Sequence, residues 1–395
     1  MRGSDVAGSH SPAAYRDFVH VGPGTLAGRY LRRFWHPVAR AQDLPAGSAK
    51  PLRILGEDFT LYRGEGGTPH VVAFRCAHRG TQLSTGWVEG DCIRCFYHGW
   101  KYDGAGQCVE QPAEDAGFAG KVKIESYPTE EYLGLVFAYL GEAERDATGA
   151  FRPPPLPRYR EFEEPGVRDV RRYVFDCNYF NNCENGPDEA HVCFVHRDSS
   201  LAAIADVPRF SAEETDYGLV QYGTRPGLPV RVSHWLMPNM LQFQTYPPDP
   251  EAEAIGWTDS IAWRVPIHDE QHVSFVVNLA HVTGDLARRF EERRNAQRAQ
   301  LTVPFAEVAR SVLAGELRVQ DLERRADVSR INTQDYVAQC GQGTIADREH
   351  ERLGRSDVGV ILLRKLWARE LEALATGQPL KDWKRPERLA ATSGV

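Results

Sequence analysis

The 395-residue chain lacks a strong charge of either sign, a long apolar run and a dense set of cysteines. Lys and Arg number 47 against 54 Asp and Glu, a formal charge of −7, so no basic excess exists to grip nucleic-acid phosphates. No stretch approaches the roughly 20 apolar residues that cross a bilayer, and the opening MRGSDVAGSHSPAAYRDF has no apolar signal-peptide core. The expectation is a cytoplasmic protein with no nucleic-acid or membrane partner. Eight cysteines are too few for a disulfide scaffold at this length, which leaves free thiols and metal ligands. What is present is ordinary globular composition, 42% hydrophobic and 26% charged, over enough chain for two or three domains with a sizeable core.

Between about residues 36 and 145, ILGEDFTLYRG, PHVVAFRC, CIRCFYHG and GLVFAYLG read as short strands, rich in β-branched and aromatic residues. Asp103-Gly104-Ala105-Gly106 is turn chemistry and predicts a hairpin. Pro153-Pro154-Pro155-Leu156-Pro157 interrupts the pattern, because proline fixes φ and donates no hydrogen bond, and marks a domain boundary. Strand-like runs return from 168 to 280 (VRRYVFD, YGLVQYG, NMLQFQTY, IAWRVPI, VSFVVNLAHV), broken by an Asn-, Cys- and His-rich segment at 178–200. The remainder is helical. DLARRFEERRNAQRAQ predicts a solvated helix, and Val360, Leu363, Trp367, Leu371 and Leu374 recur at helical spacing, with Ser356 as N-cap and Gly377 as stop. The chain reads as α+β: a mixed sheet covered by helices, attached to a smaller all-β domain.

Two half-motifs carry chemistry. Cys76-Ala77-His78-Arg79-Gly80 and Cys95-Phe96-Tyr97-His98-Gly99-Trp100 are a CxH and a CxxH, with sixteen residues between His78 and Cys95. Two thiolates and two imidazoles suit either a structural Zn²⁺ or a [2Fe-2S] cluster with Cys₂ on one iron and His₂ on the other. Each Cys is followed by its His and then by Gly, which predicts two hairpin tips, each presenting one ligand of each type. Glycine there lets the backbone approach bridging sulfides. Common zinc fingers instead pair Cys with Cys and His with His. The other six, Cys92, Cys108, Cys177, Cys183, Cys193 and Cys340, read as small buried hydrophobes.

On these residues, CAHRG and CFYHGWKYDGAGQC, the sequence resembles a Rieske domain. Thr81 and Tyr97 stand at the loop positions where Rieske proteins of respiratory complexes carry an extra disulfide, so the likeness is to the oxygenase branch. Further along, Asn185-Gly186-Pro187-Asp188-Glu189-Ala190-His191 runs on to His196, giving NxxDxxHxxxxH. Two histidines and a distant carboxylate make the facial triad of non-haem Fe(II), which leaves positions open for O₂. The spacing is similar to that of Rieske non-haem iron oxygenase α-subunits. HVGPGTLAGRYLRRFWHPVA and QDYVAQCGQGTIADREHERLGRSD extend the resemblance, to the phthalate-dioxygenase-like branch, over nearly the whole chain. Spacing leaves the third ligand open among Asp321, Asp327, Asp335, Asp347 and Asp357. Resemblance favours Asp335, at the start of a helix, with Asp347 next unless it pairs with Arg348.

The resemblance implies an N-terminal segment (1–35) packing on the catalytic domain, a Rieske [2Fe-2S] domain (36–150) and a helix-grip catalytic domain (151–395). It implies cluster ligands Cys76, His78, Cys95 and His98, and iron ligands His191, His196 and Asp335. Asp188 would join His98 of one protomer to His191 of the next in a trimer or stacked trimers, the simpler reading being a helix cap. Asn185 would lie beside the iron. The implied function is the terminal oxygenase of a multicomponent system. Electrons from NAD(P)H arrive through a separate reductase or ferredoxin, and O₂ attacks a small aromatic or cyclic substrate by mono- or dioxygenation or demethylation. Phe210, Trp235, Met237, Met240 and Phe243 are candidate pocket residues, and Arg225 and Arg231 candidate carboxylate receptors, though core and surface placements compete for each. The alternatives are a Rieske electron carrier or redox sensor without oxygenase activity, and a zinc-bound structural module.

Overall fold

The structure is a computed structural model that describes residues 16–115, 117–141, 153–197, 207–227 and 230–389. Residues 1–15, the stretch 142–152 ahead of the prolines, and 198–206 after the second predicted iron histidine lie outside the described residues.

Helix α1 (Leu26–Leu31) is capped by Thr25, whose hydroxyl accepts from Gly28 N–H at 3.0 Å. Strands β1 (Trp35–Arg40), β2 (Ala49–Ile54), β3 (Glu57–Arg63), β4 (Pro69–Ala73), β5 (Trp87–Glu89) and β6 (Cys92–Arg94) follow. Then come β7 (Lys101–Tyr102), β8 (Cys108–Glu110), β9 (Ser126–Tyr127), β10 (Thr129–Tyr132) and β11 (Leu135–Tyr139). They pair antiparallel into three small sheets, ordered β1-β11-β10, β2-β3-β4-β9 and β5-β6-β7-β8. The predicted hairpin joins β7 and β8: Asp103 Oδ1 accepts from the N–H groups of Ala105 and Gln107 at 3.0 and 2.8 Å, and Gly106 takes φ +80°.

The second part begins with β12 (Val167–Phe175), α2 (Tyr179–Asn185) and α3 (Ala190–Val195). Strands β13 (Arg209–Glu214), β14 (Gly218–Thr224), β15 (Arg231–Leu236) and β16 (Met240–Thr245) lead through α4 (Ala252–Ile255) to β17 (Thr258–His268) and β18 (Gln271–Ala280). Helices α5 (Gly284–Gln300), α6 (Phe305–Leu313), α7 (Arg330–Cys340) and α8 (Val358–Thr376) complete the order. The seven strands form one antiparallel sheet, β12-β18-β17-β16-β15-β14-β13. Helix α5 buries only Phe290, as its charge predicts, and α8 ends at Gly377 with φ +70°. The N-cap of α8 is Asp357, not Ser356, because residues 355–357 form a 3-10 turn in front of it. The edge strand β13 and the strand β15 were not among the predicted strands.

Alternation along the strands gives this sheet two unlike faces. Trp263, Val265, Val273, Phe275 and Val277 are buried on one, where Phe137 of β11 meets Trp263 at 5.6 Å between ring centres. The other turns toward α2, α3 and α7: Ser274 and His272 bond to Asn182 of α2, and Ser233 to Glu189 beside α3. Residues 16–34 join the helical side, with Phe18 stacked on Phe180 at 4.8 Å and Tyr30 against Trp367 at 5.1 Å. Of the six thiols expected to be buried, Cys108, Cys177 and Cys183 are; Cys92, Cys193 and Cys340 are half-buried.

Candidate active site

The two half-motifs fold into the same loop. In the first, Cys76 N–H donates to Thr81 O at 2.8 Å and Gly80 N–H to Cys76 O at 3.0 Å. In the second, Cys95 N–H donates to Trp100 O at 2.8 Å and Gly99 N–H to Cys95 O at 3.1 Å. Gly80 and Gly99 both take φ +75°, the left-handed turn that only glycine enters freely. The thiols of Cys76 and Cys95 are buried, while the imidazoles of His78 and His98 reach the surface 4.5 Å apart between centres. Trp100 stacks on His78 at 4.6 Å, and Tyr102 OH lies 3.2 Å from Cys76 Sγ. Burial pushes the Cys76 thiol up, partly offset by Tyr102, and Cys95 raises it further. Two buried thiols side by side ionise only with a cation beside them, and His78 Nδ1 is buried without a hydrogen-bond partner. The donor set fits two irons, sulfur ligands inward and nitrogen ligands outward.

In the second part, His191, His196 and Asp335 bring one ligand atom each to within 4.8 Å of one another. His196 Nε2 lies 3.2 Å and His191 Nε2 4.0 Å from Asp335 Oδ1. Ligand atoms about 2.1 Å from a common ion and at right angles lie about 3 Å apart, a spacing that His196 and Asp335 already have and to which His191 has to close by about 1 Å when an ion binds. The tautomers agree. His191 Nδ1 is bonded to the carbonyl of Asp188, and His196 Nδ1 lies 3.1 Å from Gln334 Oε1; each Nδ1–H donates outward and leaves the Nε2 lone pair toward Asp335. Asp335 Oδ1 is buried with no well-aligned donor. Burial opposes charge on His196, yet Asp335 and Gln334 outweigh it and hold its pKa above the usual value.

The remaining candidates fall around or away from this group. Asp188 Oδ1 accepts from His191 N–H at 3.4 Å, the local cap; burial lifts its pKa and His191 opposes the rise. Asn185 ends α2, its carbonyl accepting from Asp188 N–H at 3.3 Å. Asp335 sits in the middle of α7 rather than at its start. Asp321 pairs with Arg318, Asp327 with Arg325, and Asp357 accepts from Gly354 N–H. Asp347 pairs with His350, not Arg348, which is held by Glu184. Trp235 lies on the face of the sheet turned to this group, against Gly186, where a Cβ would come within 2.8 Å of its ring. Met240 points to the opposite face, its sulfur 3.5 Å from Tyr159 OH. Arg231 Nε is 3.4 Å from Glu189 Oε1, and Arg225 reaches Cys193 Sγ at 3.8 Å.

Residues 34–128 match the family described as Rieske [2Fe-2S] domain. The 5,5'-dehydrodivanillate O-demethylase oxygenase subunit of Sphingobium sp. is 30% identical over 376 residues, 92% of this chain and 81% of that protein. The chain belongs to the Rieske non-haem iron oxygenases. The phthalate 4,5-dioxygenase oxygenase subunit of Pseudomonas putida is 28% identical, covering 89% of this chain and 84% of its own. A solved complex between oxygenase and ferredoxin in carbazole 1,9a-dioxygenase shares the fold, with a TM-score of 0.59 at 20% identity over 93% of this chain and 95% of that one. The protein is therefore a terminal oxygenase, an oxidoreductase whose cofactors are a Rieske [2Fe-2S] cluster and mononuclear iron.

Sequence reasoning missed several members of this Rieske oxygenase site. Gln334 was visible only as the neighbour of Asp335, and Tyr102 only as an aromatic in a strand. Glu189, buried between Asp188 and Ala190, was overlooked: Ser233 and Arg231 hold one oxygen while the other is orphaned. Its signal was a second consecutive acid on a helix approach that the structure buries.

Proposed function

We propose that His191, His196 and Asp335 are the iron ligands and that Cys76, His78, Cys95 and His98 hold the Rieske cluster. The convergence of two imidazoles and one carboxylate, with both outer nitrogens already bonded, carries this reading. The ferrous ion with its open positions would supply activation of O₂ beside the substrate. The protein's own part is orientation. The Asp188 carbonyl fixes the His191 ring and Gln334 fixes that of His196. The domain limits that accompany this reading are 1–35 for a segment packing on the catalytic domain, 36–150 for the Rieske domain and 151–395 for the catalytic domain.

A homotrimer, alone or stacked, completes the scheme: Asp188 bridges His98 of one protomer to His191 of its neighbour, and Asn185 lies beside the iron. Its support is the exposed aromatic cover of the cluster loops, where Trp87, Phe96 and Tyr97 present large apolar surfaces. Electrons come from NAD(P)H through a separate reductase or ferredoxin, as the oxygenase–ferredoxin complex of carbazole 1,9a-dioxygenase supports. The substrate is a small aromatic or cyclic molecule, in line with the dehydrodivanillate and phthalate in the names of the two relatives above. No helix among the described residues is long and apolar enough to cross a membrane; the cytoplasm is the proposed place of the reaction, where NAD(P)H is available.

Elemental analysis of fully loaded protein tests the assignment. Three irons and two sulfides per chain are expected, falling to two irons in His191→Ala with the visible cluster bands unchanged. Coupled turnover surviving in that variant overturns the ligand assignment. Asp188→Asn should keep all three irons and lose electron transfer to the mononuclear site.

A further inference from the structure

Arg264 stands in β17, on the sheet face turned toward α2 and α7, and only 9% of it is exposed. Its backbone is tied to Asn239 in both directions, at 2.9 and 2.7 Å, so the strand fixes where the side chain departs. Yet its guanidinium makes no hydrogen bond or ion pair among the described residues, and Nε is buried without a partner. The ionisable groups near enough to act on it or feel it are Cys183 of α2, Asp335 of α7 and His272 of β18. A planar cation with five donors and no acceptor is costly to hold away from water.

The other cations around the iron group are already used. Arg231 faces Glu189, while Arg348 and Arg364 share Glu184. Asp335 does not relieve Arg264, because on the ligand reading above its charge belongs to the metal. A divalent ion held by one carboxylate and two neutral imidazoles leaves a positive excess, so iron loading sharpens the need for an anion. Across β18 the neighbour of Arg264 on this face is polar, Ser274, but toward β16 and β15 the face carries an apolar row. Ala262, two residues along β17, lies opposite Leu241 of β16, which lies opposite Trp235 of β15. A lone cation at the end of an apolar row fits a molecule with a flat apolar body and one negative end.

We propose that Arg264 receives the carboxylate of an anionic organic substrate and lays the rest of the molecule along Trp235 and Leu241 toward the His191–His196–Asp335 group. The sequence offered Arg225 and Arg231 for this task; pairing with Glu189 removes Arg231. The proposal rests on the iron-ligand assignment for the direction of the substrate but not for the anion contact itself.

The test is calorimetric titration of the anaerobic ferrous holoenzyme with benzoate and with its neutral counterpart benzamide. Wild type should prefer benzoate about tenfold or more. Arg264→Met should lose that preference while binding benzamide within about twofold of wild type, and Arg264→Lys should keep part of it. Equal affinity for both probes in wild type, or an undiminished benzoate preference in Arg264→Met, overturns the proposal. Should Arg264→Met not fold, the wild-type comparison and Arg264→Lys decide alone. Repeating the titration on metal-free protein separates the two readings. A preference that persists there but vanishes in Arg264→Met supports the anion contact even if the mononuclear iron proves to lie elsewhere.

Discussion

His272 is buried, with Nδ1 2.8 Å from Cys177 O and Nε2 2.9 Å from Asn182 Nδ2. The first contact needs Nδ1–H as donor and the second needs Nε2 as acceptor, so the network is built for neutral imidazole. Burial lowers its pKa to about 3, and burial likewise lowers that of His36 to about 4. In the unfolded chain both titrate near ~6.5, so below that pH the unfolded state binds more protons. Stability from these two residues is therefore complete above about pH 6.5 and is lost as the pH falls toward 4, by roughly 3 kcal/mol for His36 alone. Urea midpoints should drop between pH 6.5 and 4.5. The drop should be shallower in His272→Gln, which cannot be protonated. An unchanged slope in that variant would refute the assignment.

Gly359 is the second residue of α8, and a Cβ there would stand 1.9 Å from Gln221 Oε1 and 2.6 Å from Pro187 O. Glycine in a helix ordinarily costs up to ~1 kcal/mol relative to alanine, so Gly359→Ala would normally stabilise. Here the carbonyl of Pro187, one residue before Asp188, cannot move aside as a flexible side chain would. Gly359→Ala should cost about 1–3 kcal/mol in denaturant titration and lower iron occupancy, because the displaced turn leads directly into α3. A neutral or stabilising effect would show that α8 does not set that turn.

The same elements show what could be read in advance. The five strands predicted after residue 168 were legible from their β-branched and aromatic content, and so were α5, the body of α8 and its stop at Gly377. Strand β13 was not, because RFSAEE is an edge strand whose alternation rests on Phe210 and Ala212 alone, both half-buried among exposed polar residues. The faces of Met240 and Trp235 were not separable either, since which side a strand residue takes depends on pairing with a partner the local sequence does not name. Cys76, His78, Cys95 and His98 are local in the chain and stood out by spacing. Asp335, 139 residues beyond His196, was one acid among five until tertiary structure brought it back. Arg264 gave no signal, because being unpaired is a property of its surroundings.

At the scale of the molecule, the two largest of the hydrophobic cores among the described residues carry most of the fold. The larger runs from Phe18 to Leu371 and centres on Trp367, whose ring meets Phe18, Tyr30, Tyr179 and Phe180 and whose Nε1 donates to Pro238 O at 3.1 Å. The smaller gathers Tyr62, Val72, Leu83, Ile93 and Tyr102 around Cys76 and Cys95. Trp367→Ala should cost about 3–5 kcal/mol, read as a lower urea midpoint by fluorescence. The visible absorption per purified chain should not change, because the cluster loops rest on the other core. Loss of colour in that variant would mean the two are one cooperative unit.

The two-faced sheet has an evolutionary corollary. Along β17, every second position belongs to the foundation and the intervening ones to the workshop, so exchanging Ala262 on β17 and Leu241 on β16 leaves Trp263 and Val265 in place. A lineage could thus retool for new compounds by drifting at alternate codons while its scaffold stays anchored.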